Sequence, residues 1–371
     1  MPVKNAINNS TVIIANLLVI AFLLTAWVLT TYFEDLYYLS VQEDLHLEWA
    51  TFWAFAAAAY TYILAARHSR ATGTHYWLAL LTALFCLLVA MEEISWGQRL
   101  FNYQPGEYFL AENFQQEANL HNVIDTDYRK LTLKAVILGF GVLLPLLALI
   151  PALANLFSRL NMPVPSLGLM PAFALTFLLY EIYPWKHTGE WVELMLGFCF
   201  LFAGLHHLYQ CRNHASEDRN TSLSVLTLAG WMVAIWGISI VTVPLTQLSL
   251  TDDLTRSVAA QQEVKKLGRD LLSKGRLLKC GNHKRVYTYM EKYEFYWLQE
   301  GEFATSLAGD GFPERGEYML DPWNNPYWIR DKCASSSRQR YAFIYSFGPN
   351  GRRESTAEDI GGDDIGIRII N

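Results

Sequence analysis

Two adjacent acidic residues lie at the end of an apolar stretch of the chain. Glu92 and Glu93 follow a run of uncharged residues that begins at Tyr76. A charge in a bilayer core costs roughly 2.5–3.5 kcal/mol on insertion scales, so such acids face protein, a partner or water rather than lipid. At about 1.5 Å of rise per helical residue, the pair lies about 24 Å from Tyr76. We therefore expect both carboxylates at the outer end of a membrane helix.

Further ionisable residues are predicted at the same end of the membrane. Glu190 and Glu193 are three residues apart, which places them on one face of a helix, and His187 precedes Glu190 by about one turn. The residues that could carry catalysis or bind a metal are Glu92, Glu93, His121, Glu190 and Glu193. Neighbouring polar residues that could support them are Ser95, Trp96, Gln98, Arg99, Asn113, Glu117 and His187.

Carboxylates and imidazoles that converge in a partly dehydrated pocket suit more than one chemistry. They can bind a divalent metal that activates a water for hydrolysis, or they can carry protons or ions. Alternatively, Glu92 or Glu93 pairs with Arg99 and the remaining residues are ordinary interfacial side chains. The chain contains no H-E-x-x-H motif, no pair of Glu-x-x-His motifs and no Gly-x-Ser-x-Gly motif, so all three interpretations stay open.

The composition indicates the elements that must position these residues. Hydrophobic residues make up 52% of the 371 residues and aromatic residues 14%, which is more than an ordinary soluble domain carries. Apolar segments cover residues of about 11–33, 48–67, 76–98, 131–157, 166–184, 190–210 and 222–246. A hydrocarbon core of about 30 Å requires about 20 helical residues. The sequence therefore predicts an all-α membrane bundle of about seven transmembrane helices over residues 1–249.

Charge distribution predicts orientation and excludes one class of partner. The basic residues that fall in loops on one side are Lys4, Arg67, Arg70, Arg159, Arg212 and Arg219. The positive-inside tendency assigns that side to the cytoplasm, so seven spans place the N-terminus inside and the C-terminal region outside. The formal net charge of −6 shows no basic footprint for nucleic acid. The lipid bilayer is the predicted partner of residues 1–249.

The chain after the last apolar segment has a different character. Residues 250–281 suit an amphipathic linker helix with Leu254, Val258, Leu267, Leu271 and Leu272 as its apolar positions. Residues 282–371 begin with a helical pattern and then become rich in Gly, Pro, Asp and aromatic residues, which predicts short strands and turns in an α+β domain. Cys280 and Cys333 both lie in this outer region, where a disulfide between them is possible.

The last 90 or so residues resemble the type II secretion major pseudopilin. The matching residues are Asp321, Pro322, Trp323, Asn325, Pro326 and Tyr327, followed by Ser346, Gly348, Gly351, Asp359 and Ile360. The resemblance implies a pilin-like domain with a calcium site, whose oxygen ligands would come from Ser346, Asn350, Asp359, Asp363 and Asp364. Asn350 stands where the family usually has an aspartate. No prepilin cleavage signal precedes the domain, so a polymerising pilus subunit is not expected.

A second resemblance concerns the membrane region. The run EEISWGQRLF and the later NLHN segment resemble a pattern in uncharacterised bacterial polytopic membrane proteins. This resemblance covers roughly residues 1–249 and names no substrate. It implies a bacterial inner membrane location, and it suggests that Glu92, Glu93, Ser95, Trp96, Gln98, Asn113, Gln115, Glu117 and His121 act together.

Three function classes follow from these observations. The leading hypothesis is an envelope or secretion-associated protein whose pseudopilin-like domain binds a protein partner, with calcium, outside the cytoplasm. The second is a membrane-embedded hydrolase that uses a divalent metal and acts on a lipid or lipid-linked substrate at the outer leaflet. The third is an ion-coupled transporter, although Pro145, Pro151 and Pro171 are not accompanied by a convincing internal repeat.

Overall fold

The structure, a computed structural model, divides the chain into two compact units. It describes residues 9–41, 46–101, 103, 105–113, 116–213, 225–247, 253–274, 283–307, 313–333, 340–356 and 358–370. The helical unit contains residues 1–96 and 124–243, and the head unit contains residues 97–123 and 244–371.

The first two thirds of the chain are helical. In chain order the helices are α1 (Asn9–Tyr32), α2 (Glu34–Ser40), α3 (His46–Ala71), α4 (Trp77–Glu93), α5 (Gln98–Phe101), α6 (Glu107–Glu112), α7 (Thr126–Leu138), α8 (Leu144–Leu147), α9 (Pro151–Arg159), α10 (Met170–Ile182), α11 (Thr188–Asn213) and α12 (Val225–Gln247). Helices α5 and α6 belong to the head unit. A π-helical turn, Gly139–Leu143, joins α7 to α8.

Helix α11 is the central helix of the helical unit. In its most apolar stretch 94% of the residues are buried, compared with 17% for Thr126–Leu147, whose surface suits contact with lipid. Small residues let α3 approach α11 closely, because a Cβ atom at Gly197 would lie 3.0 Å from the Cβ of Ala54. Close approach through small residues is how membrane helices gain packing energy in the absence of a hydrophobic driving force.

Four helices, rather than the predicted seven, are long and apolar enough to cross a membrane. They are Val12–Tyr32, His46–Ala71, Thr126–Leu147 and Thr188–Arg212 within the described residues. The prediction of seven spans is therefore not supported. Helix α4 has 17 residues and α10 has 13, which is at or below the shortest length that spans a membrane. A hydropathy reading counts apolar residues, but it does not reveal where turns end these helices.

The head unit combines a long helix with an antiparallel sheet. Its further elements are α13 (Asp253–Lys274), β1 (His283–Arg285), α14 (Val286–Lys292), α15 (Glu302–Leu307), α16 (Pro313–Glu317), β2 (Trp328–Cys333), β3 (Arg340–Ser346) and β4 (Ile365–Ile370). The strands pair in the order β1-β2-β3-β4, and every neighbouring pair is antiparallel. The predicted change from helices to strands and turns is confirmed for the C-terminal region.

The head core lies between α13 and one face of the sheet. Val264, Leu267 and Leu271 of α13 are buried and belong to the same apolar cluster as Ile344 and Ile369 of the sheet. Gly268 also lies on this side of α13, because a Cβ atom there would come within 2.6 Å of Ile367. At Gly268, the backbone of α13 therefore packs directly against a side chain of the sheet.

The head unit also includes a segment that is distant in sequence. Residues 97–123, which we call the strap, follow α4 and belong to the head unit rather than to the helical unit. Leu110 of the strap is fully buried in the head core. The predicted division at residue 249 did not anticipate this contribution, because it assigned all of residues 1–249 to the membrane bundle.

Candidate functional site

The end of α4 is shaped by an unusual backbone turn. Glu92 and Glu93 are its last residues, and Ser95 and Trp96 then take positive φ values of 46° and 56°. A positive φ is uncommon for residues other than glycine and costs free energy, so surrounding contacts must hold this turn. One such contact is the indole Nε1 of Trp96, which donates to Oε1 of Glu92 at 2.7 Å. The turn thereby fixes the Glu92 carboxylate.

Four carboxylates of the helical unit come together at this end of α4. The negative charges of Glu193, Glu190 and Glu92 all act on Glu93. Glu190 and Glu193 lie in the first two turns of α11. The structure thus brings together the two acidic pairs whose meeting the helical spacing suggested. Repulsion among like charges favours protonation of one carboxylate or the binding of a cation.

Two tyrosines and an arginine border the acidic cluster. The charges of Glu193 and Arg129 act on Tyr180 as well as on Tyr183. Burial is the main cause that raises the pKa of Tyr183, and Glu190 and Glu193 add to this rise, whereas the Gly189 N–H and Arg129 oppose it. Tyr183 therefore keeps its proton at neutral pH and remains a hydrogen-bond donor.

The loop between α10 and α11 contributes further strained positions. Tyr183 has a φ of 44° and His187 a φ of 61°. The Tyr183 hydroxyl accepts a hydrogen bond from the Gly189 backbone at 3.4 Å, and Lys134 forms an ion pair with Glu181 at 2.5 Å. Strained residues thus occur on both sides of the cluster, in a pattern often found at functional sites.

The remaining predicted site residues belong to the head unit. Asn113 of the strap donates from Nδ2 to the backbone oxygen of Glu117 at 2.7 Å and to Oδ1 of Asn119 at 2.8 Å. The Nδ2 of Asn119 donates in turn to Oε2 of Glu117 at 3.0 Å, and Oε1 of Gln98 accepts from the Ala118 backbone at 2.9 Å. These side chains are buried and satisfy the backbone of the strap, which indicates a structural task.

Gln116 is the strap residue that sequence reasoning missed. Its Nε2 donates to the backbone oxygen of Tyr318 at 2.9 Å, and its φ is 56°. The two residues are 202 positions apart, so no local pattern in the sequence could have linked them. His121, which was predicted alongside the acids, is half-buried in the same strap, and the side chain of Arg99 lies outside the described residues.

Two of the predicted calcium ligands, Ser346 and Asn350, form hydrogen bonds within the head. The Ser346 hydroxyl donates to Oδ2 of Asp321 at 2.5 Å and accepts from the Gly348 backbone at 2.9 Å. Oδ1 of Asn350 accepts from the Arg352 backbone at 2.6 Å. The exposed Asp359, a third predicted ligand, accepts from the neighbouring Ile360 backbone at 2.9 Å.

Asp363 and Asp364 form the acidic centre of the last loop before β4. Oδ2 of Asp363 accepts from the Asn350 backbone at 3.1 Å, and Oδ2 of Asp364 accepts from the Ser355 backbone at 2.7 Å. Oδ1 of each aspartate is buried and has no hydrogen-bond partner among the described residues. Burial raises the pKa of both carboxyl groups to about 6. An unpaired buried carboxylate oxygen is costly, and a bound cation would remove that cost.

Glu354 is the carboxylate that the resemblance did not include. One of its oxygens accepts from the Asp363 backbone at 2.7 Å, and its charge helps to raise the pKa of Asp364. Gly362, at a φ of 62°, leaves the space that the Glu354 carboxylate occupies, because a Cβ atom there would overlap it. The arrangement could have been suspected from Gly361 and Gly362, which directly precede the two aspartates.

No ready-made metal site is present in the described ranges. Within them, no three His, Cys, Asp or Glu side chains are arranged to hold a metal ion. The possible disulfide between Cys280 and Cys333 cannot be placed, because Cys280 and the side chain of Cys333 lie outside the described residues.

His206 and His207 lie in the C-terminal part of α11. Both side chains are buried in the helical unit, with exposed fractions of 6% and 2%. Nε2 of His206 lies 2.9 Å from the Gln210 amide nitrogen, and Nε2 of His207 lies 3.7 Å from Sγ of Cys211. The pair therefore faces protein, because α11 is buried along nearly its whole length.

Comparison with known proteins finds no matching family model, no similar curated protein and no similar solved structure.

Proposed function

We propose that this protein is an integral protein of the bacterial inner membrane that presents a pseudopilin-like, calcium-binding head to a protein partner in the envelope. Four apolar helices support a membrane protein. A long helix packed on an antiparallel sheet, followed by an acidic loop, supports the pseudopilin-like head. The observation that carries the calcium part is the pair of buried, unpartnered Oδ1 atoms of Asp363 and Asp364.

In this proposal, the connection from α4 to the strap determines on which side of the membrane the head lies. Arg67 and Arg70 precede α4 and favour a cytoplasmic location for that connection. Helix α4, with 17 residues, is not among the four long apolar helices, and the proposal requires it to cross the membrane as a fifth, short span. With that crossing, the strap and the rest of the head unit would lie outside the cytoplasm.

Calcium would draw oxygen atoms of Glu354, Asp363 and Asp364 around it, with backbone oxygens and water completing the shell. These three carboxylates are not arranged for a metal as they stand, so binding would include a movement of their side chains. The charge of the ion would compensate three carboxylates that repel one another, and the ion would order the loop before β4. Since the ion requires ionised carboxylates, its affinity should rise as the pH rises through about 6, the pKa of Asp364.

The test is the thermal unfolding of the full chain in neutral detergent, titrated with calcium. We expect calcium to raise the unfolding temperature of the head, and we expect Asp364→Asn to abolish this rise. The matched control is Glu358→Gln, which removes an exposed carboxylate of the same loop that is not among the predicted ligands and should preserve the rise. A calcium effect of equal size in both variants, or none in the wild type, would refute the proposal.

A second candidate function rests on the acidic cluster of the helical unit. The charges of Glu92, Glu190 and Glu193 act on Glu93, which favours a cation or proton in an ion-coupled transporter or a metal-dependent hydrolase. Metal analysis and ion-flux measurements on the purified protein and on its Glu93→Gln variant separate the hydrolase from the transporter. Bound zinc or manganese that the substitution removes supports the hydrolase, whereas pH-dependent ion flux that it abolishes supports the transporter.

A further inference from the structure

The strap carries a large share of the exposed apolar side chains of the head unit. Eight large apolar side chains are exposed among the described residues of this unit. Four of the eight are spread over residues 244–371, and the other four lie within the much shorter strap. The four in the strap are Phe101, Tyr103, Tyr108 and Leu120. Single exposed apolar residues are ordinary, but a concentration of them marks an interaction surface.

Two of these side chains stand out from the part of the strap that packs on the head. Leu110 of α6 is fully buried in the head core, whereas Tyr108 of the same helix is 59% exposed. Phe101 of α5 is 77% exposed, more than any other large apolar side chain in the part of the chain that the structure describes. The head core therefore holds the strap and leaves Phe101 and Tyr108 open to the surroundings.

The chain connections place the strap close to the bilayer. Its last residue, Val123, is three positions before Thr126–Leu147, one of the four helices able to cross a membrane. Three residues of chain reach at most about 10 Å. The headgroup layer on each side of the hydrocarbon core is about 5–8 Å thick. With Thr126–Leu147 as a span, the end of the strap therefore lies at the membrane surface.

Aromatic residues also flank the strap in the helical unit. Trp96, directly before the strap, is 41% exposed, and Tyr128, in the first turn of α7, is 69% exposed. Trp and Tyr are enriched where membrane helices leave the lipid, because the ring is apolar and its polar tip can contact water. Phe101 and Tyr108 continue this set of exposed rings along the sequence of the strap.

The charge of the strap indicates that rings rather than cations would bind the lipid. Residues 97–123 contain one arginine, no lysine and three glutamates, so their formal net charge is 1 − 3 = −2 with histidine neutral. Attraction to anionic lipids depends on clustered Lys and Arg residues. A strap with this charge requires no anionic lipid, and a zwitterionic bilayer would suffice.

We propose that Phe101 and Tyr108 enter the headgroup region of the bilayer and hold the strap, and with it the head, at the membrane surface. One side of the strap would be bound by the head core through Leu110, and the other side by lipid. The inference rests on the membrane crossing by Thr126–Leu147 in the proposed function. It depends neither on calcium nor on the protein partner.

Photocrosslinking to lipid tests this proposal. The full chain is reconstituted in phosphatidylcholine nanodiscs with p-benzoylphenylalanine in place of Phe101, and lipid adducts are measured by mass spectrometry after proteolysis. The matched control carries the same amino acid in place of Tyr296, a 55% exposed aromatic residue of the head outside the strap. We expect at least about fivefold more lipid adduct at position 101, because interfacial rings lie within reach of the lipid. If the first protein does not fold, the same replacement of Tyr108 serves as the test.

A third position, Leu131, separates the failure of this inference from the failure of the proposed function. Leu131 lies within Thr126–Leu147 and is 63% exposed, so the crosslinker there should form lipid adducts. Adducts at Leu131 with none at Phe101 and Tyr108 would refute the membrane contact of the strap and retain the membrane protein. Absence of adducts at Leu131 would refute the membrane crossing itself. Equal lipid adducts at Tyr296, or a protein adduct at Phe101 in cell membranes in place of lipid, would also overturn the inference.

Discussion

At the scale of single residues, the clearest consequence of the structure concerns Asp321. This carboxyl group is fully buried and accepts hydrogen bonds from the backbones of Trp323 and Asn325 and from the hydroxyl of Ser346. Burial raises its pKa from 3.8 to about 6, against the opposing effect of these hydrogen bonds. The native state therefore binds more protons than the unfolded state between these two values. Its stability must fall as the pH rises through that range.

Asp321→Asn should remove this pH dependence, because the amide retains an acceptor for both backbone groups and cannot ionise. A pKa shift of this size corresponds to about 3 kcal/mol. We expect the variant to match the wild type near about pH 4 and to exceed its unfolding free energy by up to about 3 kcal/mol near about pH 7. Denaturant unfolding, monitored by tryptophan fluorescence, measures the unfolding free energy of the variant and of the wild type at each pH. Parallel pH profiles for the two proteins would contradict this account of Asp321.

Residue identity alone could not show how the acidic loop is arranged. Ser346, Asn350 and Asp359, which the resemblance named as calcium ligands, each form a hydrogen bond within the head, and their role as ligands stays a prediction. Glu354 lies ten positions before Asp364, and it reaches the Asp363 backbone because the chain turns back at Gly361 and Gly362. Which oxygens converge depends on that turn, whereas the sequence shows only that acids are abundant.

At the scale of elements, α13 shows what periodicity predicts and where it fails. The amphipathic helix itself was predicted, and Leu267 and Leu271 are buried as expected. Val258 was predicted on the apolar side, but 53% of its surface is exposed. The apolar stripe instead contains Glu263, whose carboxylate accepts two hydrogen bonds from Arg315 at 2.9 and 2.8 Å. A hydrophobicity pattern cannot identify a charge that is buried because a distant partner satisfies it.

The helices of the membrane region were also predicted only in part. Apolar composition correctly located them, and the meeting of Glu93 with Glu190 and Glu193 followed from the predicted helix ends. The number of spans did not follow, because α4 and α10 end after 17 and 13 residues. The π-helical turn of Gly139–Leu143 was not predicted either, since it depends on packing such as that at Gly141, where a Cβ atom would overlap Phe173 of α10.

At the scale of the whole molecule, the head is a composite of two segments separated by more than a hundred residues. The strap enters the head core through Leu110 and hydrogen-bonds to Tyr318 through Gln116. Three chain connections therefore join the head unit to the helical unit, at residues 96–97, 123–124 and 243–244. Domain prediction from composition assigns contiguous stretches, so it could not place the strap in the head.

This composite organisation predicts that the strap stays bound to the head after both of its covalent connections are cut. Protease sites inserted after Trp96 and after Val123 would lie beside exposed residues, since Trp96 is 41% exposed and Ile124 is 50% exposed. We expect the excised 97–123 peptide to co-elute with the protein in size-exclusion chromatography. Leu110→Ala should release it, because removing a fully buried leucine side chain costs roughly 2–5 kcal/mol. Mass spectrometry of the peak fractions measures the retained peptide, and its loss from the wild-type protein without denaturant would show that the strap is not part of the head.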